Sequence, residues 1–241
     1  MALYREQGIV LRTYKLGETD RIVHVLSQGR GKVRAVAKGV RRPGSRFGGR
    51  LEPYGHVDLL LYEGKNLDMI SQAELITPFA EVRHDFALSA CGSAMVEGAD
   101  RVGQEAERNT RLFLLLLAGL RALARRPEHP ALVLDAYLLR LASIAGYHPE
   151  LGACAACGVP GPHTVFGIAA GGTLCSACAP ADAQPLEARV TALLGRLVEG
   201  PWDGLLDGTD ARSRRTAGAL VNSYLTYHLG KPLRAWALVP R

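Results

Sequence analysis

Four of the five cysteines fall in two Cys-x-x-Cys pairs in the second half of the chain. Cys154 and Cys157 form the first pair, and Cys175 and Cys178 follow after seventeen residues. Two such pairs at this spacing are typical of sites in which four thiolates hold one zinc ion. Four thiolates complete the tetrahedron, so we expect one structural Zn2+ per chain as the cofactor. Two disulfides or free thiols are the alternatives.

A catalytic zinc site in the same region is less well supported by the sequence than a structural one. His148-Pro149-Glu150, ahead of the second cysteine pair, imitates the His-x-Glu…Pro-Cys-x-x-Cys pattern of zinc deaminases. Leu174 stands where that pattern has proline, and Pro149 interrupts the helix that should carry the His and the Glu. The sequence also lacks a phosphate-binding P-loop and a His-Glu-x-x-His motif. We therefore expect no enzyme and no hydrolysis of ATP.

The first fifty residues are strongly basic. They hold twelve Lys/Arg against three acidic residues, a net charge of +9, whereas the other residues sum to −3. A surplus this local predicts a polyanionic partner, a nucleic acid, although a charge run is more usually a solvated surface. Phe47, beside Arg46, is expected to lie outside the core and to stack on a base. The predicted nucleic-acid-binding residues are Arg30, Lys32, Arg34, Lys38, Arg41, Arg42, Arg46, Phe47 and Arg50.

A second basic group opens the last predicted helix. Arg212, Arg214 and Arg215 lie where the helix dipole disfavours cations. The sequence is therefore compatible with contact of this group either with DNA or with an acidic partner.

The sequence predicts β-strands for the segments that position the basic residues. Five β-rich runs are predicted at 7–14, 21–27, 32–38, 56–62 and 67–75, with a Gly-bearing hairpin turn at 28–31. Along the third run, Lys32 and Arg34 should share the outer face while Val33, Ala35 and Ala37 point inward. Five short strands in about 75 residues suggest a small closed barrel of the OB type.

The pattern becomes helical at Thr77-Pro78, where the Thr can cap a helix and the Pro suits its first position. Helices are predicted near 78–98, 109–126, 129–145, 186–199 and 210–229. The predicted fold class is α+β, with an OB-fold domain at 1–77, a helical domain at 78–150 and 185–241, and a four-Cys zinc ribbon inserted at 151–184. The start of the chain has no apolar signal-peptide core, so we expect a cytoplasmic protein.

Short motifs along nearly the whole chain carry a family resemblance. They are Gly8-Ile-Val-Leu-Arg-Thr, Gly17-Glu-Thr-Asp-Arg21, Gly31-Lys-Val-Arg-Ala-Val-Ala-Lys-Gly39, Arg41-Arg-Pro-Gly-Ser-Arg-Phe-Gly-Gly49, Gly146-Tyr-His-Pro149 and Tyr227-His-Leu-Gly230. These motifs resemble those of the RecO family of bacterial recombination mediators. The Arg-Phe-Gly-Gly stretch is specific, whereas the cysteine pairs alone are not.

The resemblance implies a role in DNA repair on the bacterial nucleoid. It implies that the protein binds single- and double-stranded DNA, anneals complementary strands without ATP, and acts with RecR on SSB-coated DNA to promote loading of RecA. The alternative from another class is a zinc-ribbon/OB-fold factor of transcription or translation that binds RNA.

Overall fold

A computed structural model describes residues 2–183, 185–203 and 209–241. The chain divides into two compact units, Met1–Arg126 and Pro127–Arg241. The first unit contains three helices in addition to the barrel, because these helices pack with the strands. The domain limits predicted from the sequence stay a prediction, and Gln184, the last residue of the predicted ribbon, lies outside the described residues.

The first unit begins with a closed five-stranded barrel. Its strands are β1 (Leu3–Leu16), β2 (Asp20–Ser27), β3 (Gly31–Ala37), β4 (His56–Tyr62) and β5 (Asp68–Thr77). The strand order is β1-β2-β3-β5-β4, and β4 pairs with β1 to close the barrel. Only β3 and β5 run parallel; the other neighbours are antiparallel. The predicted barrel and its hairpin turn after Ser27 are confirmed.

The alternation along β3 places its charges on the outside. Ala35 and Ala37 are fully buried in the barrel core, and Val33 packs against that core. Lys32 and Arg34 alternate with them, and Arg34 is exposed. The face predicted from residue parity is therefore the observed one.

Three helices follow the barrel in the first unit: α1 (Ala80–His84), α2 (Phe86–Val102) and α3 (Thr110–Ala124). The sequence predicts one helix over 78–98, and this is wrong, because Asp85 adopts an extended conformation and caps α2 by accepting a hydrogen bond from the Leu88 N–H. Pro78 does not open α1 either. Phe79 precedes that helix in the left-handed region, at φ 46°, and its ring is buried.

The second unit contains α4 (Pro130–Ile144), β6 (Val165–Gly167), β7 (Gly172–Leu174), α5 (Ala188–Glu199) and α6 (Ala211–Leu229). Helix α4 is buried along most of its length and packs against α5 and α6. A short 3-10 helix, Arg234–Leu238, follows α6 and is not predicted by the sequence. Across the described ranges, no helix combines the length and the apolar character that crossing a membrane requires.

Candidate nucleic-acid interface and metal cluster

The segment between β3 and β4 forms a series of tight turns. Backbone N–H groups of Arg42, Ser45 and Gly48 each donate to the carbonyl three residues earlier, at 3.1 Å. We call residues 38–50 the basic loop. Gly39, Gly44 and Gly48 have φ between 50° and 71°, which a residue with a Cβ rarely adopts. The glycines therefore allow the chain to reverse repeatedly while staying close to the barrel.

The basic loop is also tied to the turn between β1 and β2. The Gly39 N–H donates to the Asp20 carboxylate at 2.7 Å, and the Arg41 N–H donates to the Thr19 carbonyl at 2.9 Å. The Gly39 hydrogen bond is the main reason why the pKa of Asp20 lies below its usual value, with smaller contributions from Thr19 and the nearby cations. These bonds fix the position of the loop before any ligand binds.

Five predicted DNA-binding cations lie on the basic loop and are exposed. Within the part of the chain that the structure describes, none of them has a carboxylate oxygen within 4.0 Å. Arg41 donates to the Glu18 carbonyl at 2.8 Å, and Arg50 donates to the Arg46 carbonyl at 2.9 Å, so both side chains are oriented without being neutralised. The five residues are Lys38, Arg41, Arg42, Arg46 and Arg50.

Phe47 lies in the barrel core and not at the surface. Its side chain is 1% exposed and packs with Leu51 among Val10, Val57 and other core residues. The expectation that Phe47 lies outside the core is therefore wrong, and its buried ring has no open face for a base. Tyr54 is also buried, and its hydroxyl is 2.8 Å from the Ser93 hydroxyl.

The other three predicted cations, on and beside β3, are paired with acidic residues. Arg30 lies 3.6 Å from Glu63 and stacks over the Tyr4 ring at 3.9 Å. The Arg34 Nε is 2.9 Å from a Glu105 carboxylate oxygen. The Lys32 Nζ donates to the Asp100 carbonyl at 2.8 Å and lies 3.5 Å from its carboxylate. These three cations are therefore partly neutralised within the protein.

The β3 cations line an open cleft of about 480 Å³. Lys65 and Arg108 line the same cleft and are not among the DNA-binding residues predicted from the sequence. Both lie far from β3 in the chain and outside the basic segment, so no local signal identifies them. The predicted DNA-binding residues are thus divided between an unpaired basic loop and a cleft of mixed charge.

The four paired cysteines come together in the second unit. Their sulfur atoms all lie within 4.8 Å of one another, and the Cys157 and Cys175 sulfurs are 3.8 Å apart. A tetrahedral site with Zn–S bonds of about 2.3 Å requires sulfurs about 3.8 Å apart, whereas a disulfide requires about 2.05 Å. The cluster therefore fits a metal ion of the size and preference of zinc.

Two turns and a hairpin build the cluster. The Gly158 N–H donates to the Cys154 carbonyl at 2.8 Å, and the Ala179 N–H donates to the Cys175 carbonyl at 2.9 Å. Strand β7 leads directly into Cys175, and a 2.8 Å bond from the Ala155 N–H to the Thr173 carbonyl fixes the first turn against this strand. His148 stays outside the cluster, with its Nδ1 2.9 Å from the Ser143 hydroxyl.

The thiols of the cluster differ in acidity. Backbone N–H groups, chiefly that of Cys175, donate to the Cys154 sulfur and lower its pKa to about 6. Hydrogen bonds from the Cys178 thiol to the neighbouring cysteine sulfurs, Cys175 first, keep the proton on Cys178 and raise its pKa to about 12. One thiolate therefore forms readily, and a bound cation would favour the remaining three.

The arginines that open α6 are mostly engaged within the protein. Arg212 lies 3.4 Å from Glu187, and Arg214 donates to the Thr209 carbonyl at 2.9 Å. Arg215 is exposed and, in the described ranges, has no carboxylate within 4.0 Å. Of the three, Arg212 alone has a carboxylate partner among the described residues, and Arg215 is the more exposed of the other two.

Comparison with known proteins covers both units. Residues 1–79 match the family model described as Recombination protein O N terminal, and residues 83–237 match Recombination protein O C terminal. The chain is 50% identical to the DNA repair protein RecO of Nocardioides sp., over 99% of this chain and 100% of that protein. It is 47% identical to the protein of the same name from Thermobifida fusca and 46% identical to that from Frankia casuarinae, over 100% of each chain.

These matches cover the barrel and both units described above. Two family models together span almost the whole chain, and relatives above 40% identity align with it from end to end. The protein therefore belongs to the RecO family of DNA repair proteins.

Proposed function

We propose that this protein is a recombination mediator in DNA repair that binds DNA through the basic loop. The single observation that carries the proposal is the set of five exposed cations without carboxylate partners among the described residues, on a loop anchored to an OB-type barrel. Phosphates recruit such cations regardless of base sequence, so binding should depend little on sequence. Single- and double-stranded DNA are the proposed ligands.

The proposed reaction is the annealing of complementary strands without ATP. Two strands repel each other because both are polyanions, and bound cations lower that repulsion. Base pairing then supplies the favourable free energy, so no nucleotide hydrolysis is needed and the protein need not be an enzyme. We propose that it acts in the cytoplasm on nucleoid DNA coated by SSB, together with RecR, and helps to load RecA.

We further propose that the cysteine cluster holds one structural zinc ion. Cys154, Cys157, Cys175 and Cys178 would supply all four bonds, leaving no position for a substrate. When bound, the zinc would hold the two turns and the β6–β7 hairpin together. The residues of this segment are mostly exposed or half-buried, so the segment has little core of its own.

An annealing assay tests the proposed function. The protein is mixed with two complementary oligonucleotides, one of them fluorescently labelled, without ATP and with or without SSB. Faster duplex formation than in buffer, with and without SSB, is the expected result. No acceleration would contradict the proposal, and a strong preference for structured RNA over DNA would support the transcription or translation alternative instead.

A further inference from the structure

Helix α3 carries arginines that the proposed function has not used. The segment from Arg108 to Pro127 contains five arginines and no acidic residue. Arg111, Arg121 and Arg126 are exposed, and among the described residues no carboxylate lies within 4.0 Å of them. The cations on and beside β3 behave differently, because each of them has an acidic partner.

Helix geometry places Arg111 and Arg121 on one face of α3. Ten residues separate them, which is about 15 Å along the axis and roughly 80° around it. The buried side chains of α3, Leu112, Leu116 and Leu120 among them, occupy the opposite side. Leu114, which lies on the outer face between the two arginines, is 52% exposed. We call Arg111, Arg121 and Arg126 the α3 arginine face.

The helix dipole favours Arg121, in the last turn of α3, but helix stability does not explain the positions of Arg111 and Arg126. Arg111 is in the first turn of α3, where the helix dipole disfavours a cation. Arg126 follows the end of the helix at φ 54°, in the left-handed region where glycine is preferred. Two of the three arginines are therefore at positions where a cation or a side chain costs stability, and this favours a binding role.

Acidic residues interrupt the basic surface before it reaches α3. The loop ahead of α3 lies against the start of β3, where the Lys32 N–H donates to the Gln104 carbonyl at 2.9 Å. Glu105 of that loop pairs with Arg34 at 2.9 Å, and Glu107 is exposed. A phosphate chain that follows β3 towards the start of α3 meets these carboxylates first, so this path does not favour one continuous strand over both surfaces.

We propose that the α3 arginine face binds the phosphates of a second DNA strand while the basic loop holds the first. This inference rests on the proposed function, because annealing requires two strands whose mutual repulsion is lowered. Charge complementarity selects a polyanion, since the α3 segment carries only cations. An acidic protein is the competing occupant.

The test is capture of a second strand. An oligonucleotide of about 12 nucleotides, within the span of a single OB fold, is immobilised and saturated with the full-length protein. A labelled oligonucleotide that is not complementary is then added. For single strands, each phosphate contact contributes about −0.7 to the slope of log K against log salt concentration, so losing one contact weakens binding about fivefold at 0.1 M salt. Arg111→Gln/Arg121→Gln should therefore bind the second strand about 25-fold more weakly and anneal more slowly, with first-strand affinity within about twofold.

A matched control removes the same charge elsewhere. Arg5 and Arg189 are exposed but lie 2.8 Å from Asp58 and 3.1 Å from Asp210. Arg5→Gln/Arg189→Gln should therefore bind the second strand like the wild type. Equal capture and annealing by both double variants would overturn the inference and favour an acidic protein at α3. Loss of first-strand binding in the α3 variant would also overturn it, because α3 would then be the primary site.

A variant at Arg126 separates binding from folding. Arg126→Gly removes a cation but supplies the residue preferred at φ 54°. We expect an unchanged or higher unfolding temperature together with about fivefold weaker capture of the second strand at 0.1 M salt. Unchanged capture would count against the proposal. If the wild type binds no DNA at all, the proposed function fails; if it binds and the α3 variants behave like it, only this inference fails.

Discussion

Removing the side chain of Arg42 is the sharpest test of where DNA binds. Arg42 is exposed on the basic loop, and its backbone N–H, which donates to the Gly39 carbonyl at 3.1 Å, is retained in Arg42→Ala. Arg42 contributes to the lowered pKa of the Asp20 carboxylate, but the hydrogen bond from the Gly39 N–H is the larger cause. The substitution therefore removes a charge while leaving the bonds that anchor the loop.

The magnitude follows from the number of unpaired cations. The basic loop has five unpaired cations. If each contacts one phosphate and contributes about −0.7, the plot of log K against log salt concentration for single strands should have a slope near −3.5. Arg42→Ala should flatten that slope by about 0.7, which corresponds to about fivefold weaker binding at 0.1 M salt and about threefold at 0.2 M. Unrelated sequences should lose affinity equally, because the contact is to phosphate.

The assay is fluorescence anisotropy of a labelled oligonucleotide at four or more salt concentrations, with Arg215→Ala as the matched control. Arg215 is exposed near the start of α6 and, among the described residues, has no carboxylate within 4.0 Å. If DNA binds the basic loop, Arg215→Ala should keep the wild-type slope. An intact slope in Arg42→Ala together with a reduced slope in Arg215→Ala would place the DNA on the second unit and refute the reasoning.

Four further predictions concern other parts of the molecule. Purified protein should contain about one zinc per chain by metal analysis, and Cys157→Ser should lose it and unfold more easily; freshly purified protein without zinc would contradict this. Arg241→Ala should lower the free energy of unfolding by about 3–5 kcal/mol in urea titrations, because Asp135, 1% exposed, loses its partner at 2.7 Å. Burial already raises the pKa of Asp135 in the folded protein. The free energy of unfolding of Arg241→Ala should therefore fall as the pH rises above about 4, and a loss of stability that is the same at every pH would contradict this explanation. Glu105→Gln should strengthen DNA binding, by up to about fivefold at 0.1 M salt, if Arg34 becomes available to phosphate; unchanged anisotropy titrations would exclude this. Phe47→Ala should lower the free energy of unfolding by about 3–5 kcal/mol, whereas a ring that stacked on bases would affect DNA affinity and leave stability unchanged.

The barrel could be predicted because its signals are local. Alternation along β3 assigns Ala35 and Ala37 to the inside, and the glycine turn after Ser27 fixes where β2 and β3 reverse. The helix break at Asp85 is also local, since Asp is a preferred N-cap residue. The helical periodicity on both sides of Asp85 obscures this signal.

The cysteine cluster could be predicted for a different reason. Two Cys-x-x-Cys turns constrain four sulfurs so strongly that their spacing implies convergence, whatever the rest of the fold does. Phe47 shows the opposite situation. Glycines and arginines surround it, so local composition indicates a surface loop, and only packing with Leu51 against the barrel strands shows that it is core.

The partners of the cations could not be predicted from the sequence. Arg30, Lys32 and Arg34 belong to the same basic stretch of sequence as the loop cations, and the acids that pair with them, Glu63, Asp100 and Glu105, are brought close only by the fold. Net charge over a segment therefore identifies the class of partner but not the residues that bind it.

Paired and unpaired cations have different roles in this protein: the paired ones link segments of the fold, and the unpaired ones are available to phosphate. Arg12 joins β1 to α2 through Asp100 at 2.5 Å, and Arg21 joins β2, through Glu52 at 3.0 Å, to the residues that follow the basic loop, so these ion pairs tie separate segments together. A phosphate must compete with a fixed carboxylate to reach such a cation, whereas at the basic loop it displaces only water and salt ions. Burial of Phe47, and of Leu51 just after the loop, offsets the entropy lost on ordering the loop, so its backbone is fixed without a ligand. Affinity for DNA should therefore follow the number of unpaired cations on anchored segments and not the total positive charge.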